Sequence, residues 1–323
     1  DQPRSRGLGD VYKRQVLAEL IRTSGTDGSG IDSASELQAL VSAANSVIAQ
    51  QDALAKIRDF TASSSPLAAA DYLAAKVTSL SPTLVPLLNG IFAQLSSTQS
   101  DTLAEIQSVN DAANKVRNLS DGQAGNGVGL TAADLTALGF PQLDSAAELA
   151  LLNNLLDGFQ FSQVDDFSEL MAVILSTLQV ITNAAVPTNL TAADLVTLGF
   201  TSVTDGNVEF LKERILASHD SGTGVDSVAE LSALVTLAIA DAKKADAIKV
   251  ITDYNGANQV PILADYVDGQ ISSVSSAILA TVNSFFADLS VTQSNTVEKV
   301  QAVVNAIIDL QACLLYTSDA ADE

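Results

Sequence analysis

The chain has 323 residues and carries 16 Lys and Arg against 38 Asp and Glu, a formal net charge of −22. That balance excludes the clustered cations that displace counterions from nucleic acid or dock on anionic lipid; it reads as acidity that keeps a long chain soluble. One Cys and one His leave no disulfide framework and no His/Cys metal set, and no uncharged apolar run reaches the ~20 residues of a membrane span. The closest run, Leu170 to Ile181, is interrupted by Ser176, Thr177 and Gln179 and reads as a buried helix.

Taken in chain order, the first feature is at the ends. Asp10-Val-Tyr-Lys-Arg-Gln15 can be encoded as GATGTGTATAAGAGACAG. The reverse complement, read from its second base, encodes Cys313-Leu-Leu-Tyr-Thr-Ser318. Two ends of one protein have no physical reason to be complementary, whereas a DNA fragment flanked by one adapter does. Residues 1–15 and 313–323 therefore resemble translated sequencing adapter and are set apart from the fold. They remove Cys313, four cations and five acids, leaving a net charge of −21. With no initiator Met, the expectation for 16–312 is an internal piece of a longer protein.

The next elements all read as helices. Ser33-x-x-Glu36 has the form of a capping box, in which hydroxyl and carboxylate each satisfy an orphaned backbone N–H. Leu37, Leu40, Val41, Ala44, Val47 and Ile48 then recur at helical spacing, and the stretch to Phe60 reads as one long helix. The second helix of each repeat is placed at roughly 82–95, 145–158, 206–217 and 273–289. Pro82 falls in a first turn, where proline is tolerated, whereas Pro86 is expected to kink its helix. Thr131 and Thr191 read as N-caps of short helices, stopped by Gly139 and Gly199 with Phe140 and Phe200 packing back. Further boxes stand at Thr102-x-x-Glu105 and Ser227-x-x-Glu230, with a variant at Asp166-x-x-Glu169. Thr296-x-x-Lys299 departs from the pattern. No alternating strand pattern is present.

These elements repeat. A gap-free shift of 194 residues lays Glu36-Leu37 on Glu230-Leu231, Asp59-Phe60 on Asp253-Tyr254, Asp71-Tyr72 on Asp265-Tyr266 and Thr98-Gln-Ser100 on Thr292-Gln-Ser294. A shift of 60 lays Leu130-Thr-Ala-Ala-Asp-Leu135 on Leu190-Thr-Ala-Ala-Asp-Leu195. An acidic marker in the first helix (Asp71, Asp134, Asp194, Asp265) precedes a marker position in the third (Glu105, Glu169, Glu230 and, as a cation, Lys299) by 34, 35, 36 and 34 residues. The predicted fold is all-α, a tandem array of three-helix modules: a partial one at 16–61, then 63–117, 130–185, 190–252 and 258–312. A module of ~55 residues has a small core, so neighbours are expected to stack or share a helix.

Little in this sequence points to catalysis. His219, beside Asp220, lacks a positioned partner. Most of the repeated carboxylates are accounted for by capping. Asp27-Gly-Ser-Gly-Ile-Asp32 and Asp220-Ser-Gly-Thr-Gly-Val-Asp226 faintly suggest calcium loops but lack the alternating acids and closing Glu of an EF-hand. Asn118-Leu-Ser120 and Asn189-Leu-Thr191 match the short glycosylation sequon. The expectation is no catalytic, cofactor-binding or metal-binding residue, and no cofactor.

The unit from Leu190 to about Ala240, with its short first helix ending near Gly199 and its third opening at Asp226-Ser-Val-Ala-Glu-Leu, resembles the three-helix albumin-binding modules of bacterial surface proteins. Asp253-Tyr-Asn-Gly, then Pro261-Ile-Leu-Ala-Asp-Tyr266 and Glu298-Lys-Val-Gln-Ala-Val-Val304, resembles helical repeats of very large secreted or surface-attached adhesin-like bacterial proteins. The resemblance implies a non-enzymatic stalk or interaction segment outside the cell or on its surface. The alternative is an array of modules binding a host or matrix protein through an exposed helix face.

Overall fold

The structure, a computed structural model, describes residues 4–24, 31–125, 127–187, 189–218 and 223–319. The fold is all-α. Among the described residues there is no strand, and the one extended pairing is an isolated bridge between Asp121 and Gln160. The helices are α1 (Arg4–Thr23), α2 (Ala34–Arg58), α3 (Ala69–Ala74), α4 (Val85–Phe92), α5 (Leu103–Leu119), α6 (Ala132–Ala137), α7 (Ala146–Gly158) and α8 (Phe167–Ala185). They continue as α9 (Ala192–Thr197), α10 (Val208–Ala217), α11 (Val228–Thr252), α12 (Leu263–Asp268), α13 (Leu279–Ala287), α14 (Val291–Ser294) and α15 (Val297–Asp319). Short 3-10 turns at Pro82–Leu84, Ser97–Gln99 and Phe161–Gln163 join some of them. The chain divides into two compact units, Asp1–Ile181 with Asp226–Val228, and Thr182–Val225 with Ala229–Glu323.

Helix starts coincide under the sequence shifts. Moving 194 residues carries α2 onto α11, α3 onto α12 and the first residues of α4 and α5 onto those of α13 and α15; moving 60 carries α6 onto α9. α1 ends at the residue equivalent to the end of α10 and continues back through the adapter-like residues, where Val11 is exposed and Tyr12 half-buried.

Four of the short helices, α3, α6, α9 and α12, have six residues each. A helix of that length is marginal on its own, and both of its ends are closed locally. At the N-termini, Asp71, Asp134, Asp194 and Asp265 accept from the backbone N–H three residues earlier at 2.7–2.8 Å. The hydroxyls of Thr131 and Thr191 complete the reciprocal box by accepting from the N–H of Asp134 and Asp194. Ala68 and Ile262 have no side-chain oxygen, so there only the carboxylate half forms. The acidic marker of the first helix is thus the far half of a box.

At the C-termini, each chain reverses through a left-handed residue. The N–H of Phe140 bonds Leu135 O and that of Gly139 bonds Thr136 O, the paired bonds of a Schellman stop. Gly139 and Gly199 take φ +93° and +94°, but Lys76 and Gln270 occupy the same position at φ 70° and 60°. A Cβ is disfavoured in that region, and Lys76 is exposed. Lys76→Gly is therefore expected to raise stability by about 1 kcal/mol, read as a higher melting temperature; a lower one would mean the lysine stem packs in a way that outweighs its backbone cost.

The capping boxes expected at α2 and α5 are present, with Ser33 and Thr102 accepting from Glu36 and Glu105 N–H and both carboxylates reaching back. At α8, Asp166 accepts from Glu169 N–H at 2.9 Å. Burial, then the charges of Asp166 and Asp165, push the Glu169 carboxyl up, and its Oε2 has no partner. The departing copy still caps: Thr296 Oγ1 accepts from Lys299 N–H, while Lys299 Nζ turns back to Thr292 O and Asn295 Oδ1.

Two sequence expectations change. Pro86 does not kink a helix, because α4 begins at Val85 after a separate 3-10 turn and the proline sits in its first turn. The helix expected from 273 begins only at Leu279, after a left-handed Ser273 at φ 67° and a turn in which Ile278 N–H bonds Ser275 O. In addition, α8 is longer than the Leu170–Ile181 run. Among the described residues it is one helix long and apolar enough to cross a membrane, and half of its apolar window is buried inside the protein. Thr177 does not break it, because its hydroxyl donates to Val173 O within the helix.

Long helices pack on the short helix that follows: α2 on α3 and α5 on α6. Ion pairs mark both contacts, Lys56–Asp71 at 2.6 Å and Lys115–Asp134 at 2.7 Å. The Lys56 ammonium, helped by Ala68 N–H and opposed by burial, holds the Asp71 carboxyl below its ordinary value. A carboxyl lowered by folding stabilises the protein above its unfolded pKa, and that contribution is lost as pH falls through the lower, folded value. Asp71→Asn is therefore expected to lower the melting temperature most above pH ~5, with the gap to the parent chain closing below pH ~3. A gap independent of pH would assign the loss to packing instead.

Candidate functional site

In the second unit, the polar groups nearest the core are structural. Tyr266 is fully buried and its hydroxyl donates to Asn283 Oδ1 at 2.7 Å; Asn283 Nδ2 donates to Pro261 O at 2.7 Å. Burial, and secondarily the Asp265 charge, push the phenol well above its usual range, so it remains a donor. In the first unit the same relay joins Tyr72, Asn89 and Leu67 O at 2.7 and 3.0 Å. A second device also recurs. Gln107 Oε1 accepts from the N–H and hydroxyl of Thr78, and Gln301 Oε1 does the same for Ser272. These clamps hold the loops that carry left-handed Lys76 and Ser79, and Gln270 and Ser273.

A cleft of about 620 Å3 lies in the second unit between α10, α11 and the start of α15. Phe210 and Ile248 give it an apolar lining, and Arg214, Asp241, Lys244 and Glu298 supply charge. Arg214 and Asp241 pair at 2.6 Å, and Lys244 donates to Gln270 Oε1 at 2.7 Å. The Glu298 carboxyl is held below its ordinary value by its own backbone N–H, then by the Thr296 hydroxyl, with Lys244 adding attraction. In the first unit the equivalent place, 194 residues earlier, is a smaller cleft of about 380 Å3 lined by Val16, Glu19, Leu20 and Val47. One scaffold therefore presents two surfaces, with Leu20 and Val47 in one copy where Arg214 and Asp241 stand in the other. Such a cleft suits recognition of a mixed apolar and charged protein surface.

His219 and Asp220 lie outside the described residues, as do residues 25–30 and 219–222 of the two glycine-rich loops. Among the described residues no group of three or more His, Cys, Asp or Glu stands close enough to hold a metal. Asn118 is near the end of α5, its Oδ1 accepting from Arg117, and Ser120 of that sequon is buried. The Tyr–Asn relay and the Gln clamp were not singled out by sequence reasoning. Their signal was available, since Asn89, Gln107 and Thr78 fall on Asn283, Gln301 and Ser272 under the shift that aligns the tyrosines.

Compared with known proteins, the chain matches no protein family, no curated protein and no solved structure.

Proposed function

We propose that the chain is a non-enzymatic array of helical repeats, a structural or stalk segment of a large bacterial surface or secreted protein. The observation that carries this reading is the repetition of side-chain contacts along with helix boundaries. The relay of Tyr72, Asn89 and Leu67 reappears at Tyr266, Asn283 and Pro261, and the Thr78–Gln107 clamp at Ser272–Gln301. Residues repeated for chemistry would converge on an open site, whereas these are spent on holding one helix to the next. The location rests on the resemblance to adhesin-like repeats and to albumin-binding modules.

One observation favours the alternative of a protein-binding array. The cleft beside Arg214 differs in lining from its sibling beside Leu20 while the helices around it are alike, which is the pattern expected when a scaffold varies its contact surface. Immobilised full chain exposed to purified serum albumin and fibronectin separates the two. The stalk reading expects no saturable binding up to about 10 µM. Saturable binding that Phe210→Ala or Arg214→Ala abolishes would replace it with the binding reading.

A further inference from the structure

A shallow apolar groove of about 280 Å3 runs along α13 and α15, lined by Phe285, Leu289, Val303, Ala306, Ile307 and Leu310. Phe285 is 44% exposed and Leu310 50%. Under the 194-residue shift these six fall on Ile91, Leu95, Val109, Ala112, Ala113 and Val116. In that internal copy Ile91 and Val116 are fully buried and Val109 is 1% exposed. What covers them is visible: α6, α7 and the 3-10 turn at Phe161–Gln163 pack on α5, and Gly139 approaches so closely that a Cβ there would meet Leu95 Cδ2 at 3.4 Å. The same framework therefore carries one apolar face that is covered by the following repeat and one that is open.

We propose that the Phe285–Leu310 face is a docking surface for a further helical repeat, which would lie on α15 as α6 and α7 lie on α5. This inference rests on the array reading and adds the chemistry of the occupant. Its short first helix must present leucines where Leu135 and Leu138 stand, both fully buried in the internal copy. It must also differ in charge. Lys115, which pairs with Asp134 at 2.7 Å, corresponds to Asp309. An acidic first turn like that of α6 would face a carboxylate, so the occupant carries Lys or Arg there. The first-turn carboxylate that caps α6 is thereby given up, as at Lys299, where a cation already occupies the capping position of α15.

The test extends the full chain in register, replacing residues 313–323 with a copy of 119–185 in which the residue equivalent to Asp134 is Lys. Cys313 is the only cysteine and leaves with the replaced segment, so Leu310→Cys gives a single thiol in the groove. The unextended reference carries Cys313→Ser and Leu310→Cys. Iodoacetamide is expected to alkylate the extended chain at least about tenfold more slowly than the reference, the protection given by a docked element. Aspartate at the copied Leu135 and Leu138 should restore the fast rate. Added helix by circular dichroism with an unchanged alkylation rate overturns the docking surface while leaving the array reading standing. No added helix overturns the array reading itself, and the docking surface with it. A rate that slows with concentration in the unextended chain makes a second copy the occupant and likewise overturns the proposal.

Discussion

Asn283→Ala is expected to destabilise the second unit by about 2–6 kcal/mol, because it strands two buried groups at once, each costing ~1–3 kcal/mol. Asn283 is 5% exposed and stands between a fully buried phenol and the carbonyl of Pro261. Alanine can serve neither, and the site is closed: Tyr266 is fully buried, with its ring centroid 6.3 Å from that of buried Phe286. Tyr266→Phe removes only the donor and is expected to cost about 1–2 kcal/mol. The double variant should cost less than the two single changes added together, since the lost bond is shared. Urea unfolding, followed through exchange of α12 and α13 amides, reads all three. An Asn283→Ala loss under ~0.5 kcal/mol, the size of an ordinary surface change, would mean that the relay does not hold the short helix in place.

Ile251→Ala is the second large effect, at about 2–5 kcal/mol for a large aliphatic side chain removed from a closed core. Ile251 belongs to the last turn of α11, yet it packs in one cluster with Tyr266, Val282, Phe286, Val300 and Val304. Ile248 and Tyr254 join the same cluster. Exchange protection should fall across α12, α13 and α15 together, not only along α11. If those three helices kept their protection while α11 alone frayed, its end would be an independent element. The equivalent residue in the first unit, Ile57 at the end of α2, is also fully buried.

Helices, their starts and several of their caps were legible because they rest on local rules. A hydroxyl three residues before a Glu satisfies its backbone N–H whatever lies further along the chain; a glycine permits the left-handed stop wherever it falls. That is why Ser33, Thr102, Thr131 and Gly139 were readable from spacing. Lys76 and Gln270 were not, because a non-glycine in the left-handed region is held there by tertiary contacts, here the Gln107 and Gln301 clamps on the following residues. The later start of α13 is also not a local rule: 273–278 is compatible with helix by composition, but Ser273 is left-handed and 275–278 forms a turn ahead of the helix.

Sequence by itself determined that this chain is all-α, that it repeats at 194 and 60 residues, and that most of its repeated carboxylates stand at helix starts. Periodicity and capping are short-range physics, and each copy states them again. Only the tertiary structure decided which apolar residues are inside. Val116 and Leu310 are aliphatic residues at equivalent positions on equivalent helices, yet one is fully buried and the other half exposed. Burial is a property of what stands opposite a face, here α6 and α7 in the internal copy, and no local pattern carries that information.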